Sequence, residues 1–138
     1  MCYYTSCNNA NGGKTLMAEK KTVFLTGASG HMGWAGFKEL YKKKDKLNIV
    51  LLLRDSEKNR KKFANYLNDP SVKIVWGDLK KYDDVLKCVE GSDYVLHVGG
   101  MVSPSADYYP TRTIQTNTTA AKNIVDAVKA QPNKDDIK

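Results

Sequence analysis

Apolar residues gather in four short runs, at 22–26, 48–53, 72–76 and 94–98, and the stretches between them repeat apolar positions at helical spacing. Asn48-Ile49-Val50-Leu51-Leu52-Leu53 is apolar almost throughout, as a strand covered on both faces must be. Helical patterns fall at 31–44, 56–67, 82–89 and 110–130, and Pro70, Gly91 and Pro132 punctuate them. In the last helix we assign an inward stripe to Ile114, Ala121, Ile124, Val125 and Val128. Asp55 or Ser56 is placed to cap the second helix. Strand and helix in strict alternation imply a parallel sheet with right-handed crossovers. The predicted fold class is α/β, a Rossmann-like doubly wound sheet of about four strands in the order 3-2-1-4.

The region before the first strand has a different character. Residues 1–19 lack periodicity, Asn11-Gly12-Gly13 breaks any element, and Met17 reads as a natural start preceded by a 16-residue tail. The expected organisation is a flexible tail at 1–19 and a partial dinucleotide-binding domain at 20–138.

The first strand runs directly into Thr26-Gly27-Ala28-Ser29-Gly30-His31-Met32-Gly33, three glycines spaced GxxGxxG, and then into an amphipathic helix. Strand, glycine turn and helix in this order form a dinucleotide fingerprint. Gly27 turns the chain off the strand, Gly30 lets a pyrophosphate approach the backbone, and Gly33 lets the helix pack closely. Around them Ser29, His31 and Met32 present backbone N–H groups at a positive helix end.

The end of the second strand selects the cofactor. An acidic residue about 20 positions past the glycines binds the ribose 2′-hydroxyl of NAD. Here Arg54 stands there, a guanidinium suited to the 2′-phosphate of NADP, with Asp55 next as the residue that serves NAD in the alternative reading. Asp78, after the third strand, is an acceptor suited to an amino donor, or else a cap for the helix that follows. Val98, Gly99 and Gly100 end the fourth strand with small side chains where the second ribose and nicotinamide need room. His97, set in an apolar strand, is read as a structural histidine rather than a catalytic one. Asn117 faces inward from the last helix and braces the strand-end loops.

The motif TGASGHMG, with Trp76-Gly77-Asp78-Leu79, the run Tyr94 to Gly100, and Thr116-Asn117-Thr118-Thr119, resembles the extended short-chain dehydrogenases/reductases, the group containing the sugar-nucleotide epimerases and dehydratases. The resemblance runs from about residue 20 to 131, with glycines replacing alanines at 99 and 100 and no glycine after Asn117. It implies the N-terminal cofactor-binding part of an NAD(P)H-dependent oxidoreductase that reduces a carbonyl or oxidises an alcohol, with Asp78 taking the adenine amino group, Leu79 closing over the ring, and Asn117 lending support to catalysis as its second role. An NAD-dependent epimerase or dehydratase is the alternative, and a non-catalytic NADP sensor a third reading. The family's Tyr-x-x-x-Lys pair has no counterpart: no tyrosine of the chain has Lys four residues on. The chain alone is therefore expected to bind a dinucleotide and catalyse nothing, the small-molecule substrate belonging to a longer enzyme. With no fifth strand after it, the fourth strand is expected to form an open apolar edge, prone to self-association.

Charge and cysteines change this little. The net charge of +7 comes from lysines at 38–46 and 58–62, a solvated helix face in which Lys58 and Arg60 add attraction for an anionic cofactor. Basic residues are not interleaved with aromatics on a binding module, which argues against nucleic acid. No stretch reaches the ~20 apolar residues of a membrane span. Cys2, Cys7 and Cys88 have no metal-binding spacing, Cys88 reads as a core thiol, and a cytoplasmic location is expected. No metal is expected.

Overall fold

The computed structural model describes residues 19–138; the expectations for residues 1–16, for Met17 and for Cys2 and Cys7 lie outside the described residues. Four strands, β1 (Lys21–Thr26), β2 (Leu47–Leu53), β3 (Val72–Trp76) and β4 (Tyr94–His97), form one parallel sheet in the order β3-β2-β1-β4. The helices α1 (His31–Tyr41), α2 (Glu57–Phe63), α3 (Tyr82–Val89), α4 (Ser105–Tyr108) and α5 (Pro110–Lys129) complete the chain. Strand order and alternation are as the sequence predicts. The helix over 56–67 splits, with a 3₁₀ turn at Ala64–Tyr66 after α2. Ser56, not Asp55, caps it, accepting the Asn59 N–H at 3.2 Å.

The two faces of the sheet are sorted by residue parity. Ile49, Leu51 and Leu53 of β2 join Leu25, Phe37, Phe63 and Val72 on one side, beneath α1 and α2. Val50 and Leu52 join Phe24, Val85, Cys88, Val89, Ile124 and Ala127 on the other, beneath α3 and α5. This two-sided burial is why β2 has no polar alternation. An aromatic cluster fills the first side: Phe37 and Tyr66 meet edge to face at 4.9 Å, and Trp34 packs on Phe63 at 5.3 Å. On the second side burial pushes the Cys88 thiol up to about 12, as expected of a core thiol.

Two expectations are corrected. The buried stripe of α5 is Ala120, Ile124 and Ala127, while Ile114 is 67% and Val125 49% exposed and Ala121 is exposed. The helix packs against α3, and the residues it buries are two alanines and Ile124, while the larger Ile114 and Val125 turn outward. The outer edge of β4 is also not fully open. Lys138 N–H donates to the Asp93 carbonyl at 3.1 Å, and Val95 N–H donates to the Lys138 carbonyl at 2.8 Å. The chain returns to the sheet after α5, with half-buried Ile137 packed on the core. Leu96 and Val98 remain 42% and 43% exposed beyond that contact.

Candidate dinucleotide cleft

A cleft of about 380 Å³ opens at the carboxyl ends of the strands, between the start of α1 and the first half of α5. This is the crevice where the strand order reverses, β1 lying between β2 and β4. Gly27, Ser29, Gly30, His31, Met32, Gly33, Arg54, Asp78, Leu79, Val98, Gly99, Gly100 and Asn117 all line it. The structure thus brings these residues to one surface, while Asp55, the alternative partner for the ribose, does not line it. The sequence reading passed over Lys80, Met101, Val102, Arg112 and Thr116, which line it too.

The three glycines answer to different constraints. Gly27 has φ +75°, and a Cβ there would lie 2.7 Å from the Gly99 backbone. A Cβ on Gly33 would lie 2.0 Å from the Gly27 carbonyl oxygen. Both positions are fixed by the protein's own packing. Gly30 is not: its φ is −81°, and a Cβ would make only a 3.4 Å contact with the Gly27 oxygen. The protein's own packing places no demand for glycine at 30. Gly30 is also the N-cap of α1, which has no side-chain cap and no acidic residue in its first turn. Its leading N–H groups and positive dipole end could therefore hold an anion.

At the end of β2, Arg54 is exposed and lines the cleft, and among the described residues no acid pairs with it. Asp55 is committed elsewhere. Its two oxygens take Nε and Nη2 of Arg60 at 2.6 and 2.8 Å, and Arg60 stacks 4.7 Å over the Trp76 ring. This pairing holds the Asp55 carboxyl below its usual range. Arg60 is thereby spent on Asp55, and neither it nor Lys58 lines the cleft. Lys62 instead reaches the glycine turn, donating to the Ser29 carbonyl at 3.0 Å from above the Trp34 ring. Burial, with repulsion from Lys58 and Lys38, pushes its pKa down. On this side of the cleft Arg54 is the cation of the lining, and Lys62 stands behind the glycine turn.

Asp78 accepts the Lys80 backbone N–H at 2.9 Å, closing an Asx turn, and does not cap α3, whose N-cap is Lys81. Helix α5 supports two loops of the cleft. Asn123 Nδ2 donates to the Leu79 carbonyl at 2.9 Å. Asn117 grips both backbone groups of Met101, accepting its N–H at 2.8 Å and donating to its carbonyl at 3.0 Å. This is the brace expected of Asn117. His97, exposed at the end of β4, sets its Nδ1 2.8 Å from Thr26 Oγ1.

A family model described as NAD(P)H-binding matches residues 27–135. This chain belongs to that NAD(P)H-binding family. Among curated proteins, the UDP-glucose 4-epimerase of Rickettsia bellii (strain RML369-C) is 32% identical over 111 residues, covering 78% of this chain and 32% of the relative. The UDP-glucose 4-epimerase of Rickettsia felis matches over the same shares, also at 32% identity. The chain thus spans about a third of the length of the curated relatives it matches. Among solved structures, Pen from Bacillus thuringiensis superposes with a TM-score of 0.71 at 23% identity, over 82% of this chain and 35% of that one. The UDP-glucose 4-epimerase of Bifidobacterium longum, in complex with NAD+ and UDP, superposes with a TM-score of 0.63 at 18% identity, over 79% of this chain and 33% of that one. These structures share the fold. The resemblance to extended short-chain dehydrogenases/reductases therefore holds for the NAD(P)H-binding domain. Among the described residues, no helix is long and apolar enough to cross a membrane.

Proposed function

We propose that this chain is the cofactor-holding part of an oxidoreductase that exchanges hydride with a carbonyl or alcohol substrate, and that it prefers NADP to NAD. The observation that carries the preference is the division of labour after β2: Arg54 faces the cleft without an acidic partner, while Asp55 is neutralised by Arg60. A carboxylate locked in a bidentate ion pair is poorly placed to accept a ribose hydroxyl. A free guanidinium is suited to a 2′-phosphate. In this arrangement the pyrophosphate rests over Gly30 and the N–H groups of His31, Met32 and Gly33. Asp78 and Leu79 hold the adenine, and Val98 to Gly100 with Asn117 receive the nicotinamide half. The bound nicotinamide supplies the hydride; the residues described here bind and orient it. Calorimetric titration of the unmodified protein is expected to show tighter binding of NADPH than of NADH. Equal affinities reject the preference.

The epimerase reading is favoured by the curated relatives, which are UDP-glucose 4-epimerases. It shares the same hydride chemistry and differs at Arg54, where tightly held NAD calls for an acid. The titration separates the two.

Self-association belongs to the same proposal. The exposed Leu96 and Val98 of the β4 end and the outward Ile114 and Val125 of α5 leave apolar surface in water, at a cost of about 25 cal/mol per Å². Sedimentation is expected to show the mean mass rising with concentration. A monomer at every concentration rejects this surface as a contact between copies.

A further inference from the structure

The carbonyls of the glycine turn are committed in different ways. Gly27 accepts the Gly30 N–H at 3.0 Å and Gly30 accepts the Trp34 N–H at 2.9 Å, both from the local backbone. Ser29 takes its partner from another helix: Lys62 Nζ, in the last turn of α2, donates to its carbonyl at 3.0 Å. Packing fixes where that arm starts. The neighbouring Phe63 is fully buried against Trp34, Asn59 Nδ2 donates to the Arg54 carbonyl at 2.8 Å, and the Lys62 ammonium stands 4.3 Å over the Trp34 ring.

This ammonium lacks a counter-charge. Lys62 is half-buried, and among the described residues no carboxylate pairs with it. A carbonyl and an indole ring, both uncharged, are its partners. Burial and repulsion from Lys58 and Lys38 act against its charge. A partly desolvated, unpaired cation is unfavourable in the empty protein and is relieved by an anion nearby. The uncapped start of α1 lies one residue beyond Ser29. Ser29 and Gly30 line the cleft, and Lys62 does not. Its charge therefore stands behind the turn, on the far side of the surface that a phosphate would meet.

We propose that Lys62 is a positioning residue for the pyrophosphate of either dinucleotide, holding the Ser29 carbonyl out of the cleft and supplying positive charge from behind the glycine turn. The inference rests on the dinucleotide reading of the cleft given above. With the Ser29 carbonyl tied to Lys62 and the Gly30 N–H to Gly27, both polar groups of the Ser29–Gly30 peptide are occupied and its plane is fixed. A carbonyl oxygen free to turn toward the phosphates would repel them. A half-buried ammonium is also screened less than a surface lysine, so its attraction carries across one peptide. Arg54 is assigned to the 2′-phosphate and separates NADP from NAD. Lys62 does not separate them, because the pyrophosphate is common to both.

The test is titration of the unmodified chain and its variants with NADH and NADPH at pH 7.5, with thermal unfolding followed by circular dichroism. Lys62→Met keeps an apolar stem over Trp34 and removes the ammonium. It is expected to weaken NADH and NADPH binding by the same factor, about tenfold, with the melting temperature unchanged. Lys62→Arg keeps the charge and a donor and is expected to retain both affinities. Lys61→Met removes the same net charge from an exposed lysine of the same turn, paired with Glu57, and is expected to change neither. Lys62→Gln, which also lacks the charge, is expected to show the loss of Lys62→Met and carries the test if that variant does not fold. A loss confined to NADPH would put Lys62 on the 2′-phosphate and overturn the proposal. Unchanged binding in Lys62→Met, or an equal loss in Lys61→Met, overturns it too. Failure of the unmodified chain to bind NADH overturns this inference, and failure to bind NADPH as well overturns the cleft reading itself.

Discussion

Gly30→Ala is expected to leave the protein folded and to weaken dinucleotide binding at least about tenfold, whereas Gly33→Ala is expected to damage the fold itself. The two residues are three positions apart in one motif, yet only one of them is required by the protein's own packing. An alanine at 30 has an ordinary backbone conformation and a 3.4 Å contact, so stability should change by no more than ~0.5 kcal/mol. Its methyl group would stand where a pyrophosphate must meet the backbone. An alanine at 33 would push its Cβ to within 2.0 Å of the Gly27 oxygen, which is backbone and cannot rotate away. Forced overpacking of this kind costs about 1–3 kcal/mol, against a gain of up to ~1 kcal/mol from helix propensity. Thermal unfolding followed by circular dichroism, with NADPH titration of each variant, separates the two effects. A Gly30→Ala protein that binds as tightly as the unmodified chain would show that no ligand backbone approach occurs at 30.

Arg54→Ala should weaken NADP binding by about 1.5–3 kcal/mol, the range for hydrogen bonds to charged groups. That corresponds to roughly 10- to 150-fold in affinity. NAD binding should barely change, because the guanidinium has no phosphate to hold in that complex. Asp55→Asn provides the complementary measurement. If Asp55 is reserved for Arg60, the substitution should leave NAD binding unchanged. Loss of NAD affinity in Asp55→Asn would return Asp55 to the ribose and remove the basis for the preference. Parallel losses of NADP and NAD in Arg54→Ala would assign Arg54 to general attraction for anions.

The sheet was legible because β2 and its neighbours carry their burial in the sequence: continuous apolar runs are required by helices on both faces. The glycine turn was legible because a positive φ and close backbone approaches restrict the choice of residue. The α5 face was misread for a physical reason. Its buried stripe is Ala120, Ile124 and Ala127; Ile124 was read correctly, but the two alanines give a weak hydrophobic signal beside Ile114 and Val125. Helix α4 has four residues, too few for a period to show. The bonds that shape the cleft join distant parts of the chain: Thr26 to Val98 and Gly99, Lys62 to Ser29, and Asn123 to Leu79. Nothing local marks the donors and acceptors of such bonds. Asn117 was the exception, since an amide on the inward face of a helix needs partners wherever they come from.

The two asparagines of α5 have a mechanical consequence. Asn117 holds the loop after β4 and Asn123 the loop after β3, so both lips of the cleft are pinned to a single rod. Six residues of helix separate the pins, about 9 Å of axial rise. The gauge of the cleft is thereby set by a helix, which resists stretching, and not by the two loops, which do not. A shift of α5 along its axis would carry both lips the same way, translating the opening without widening it.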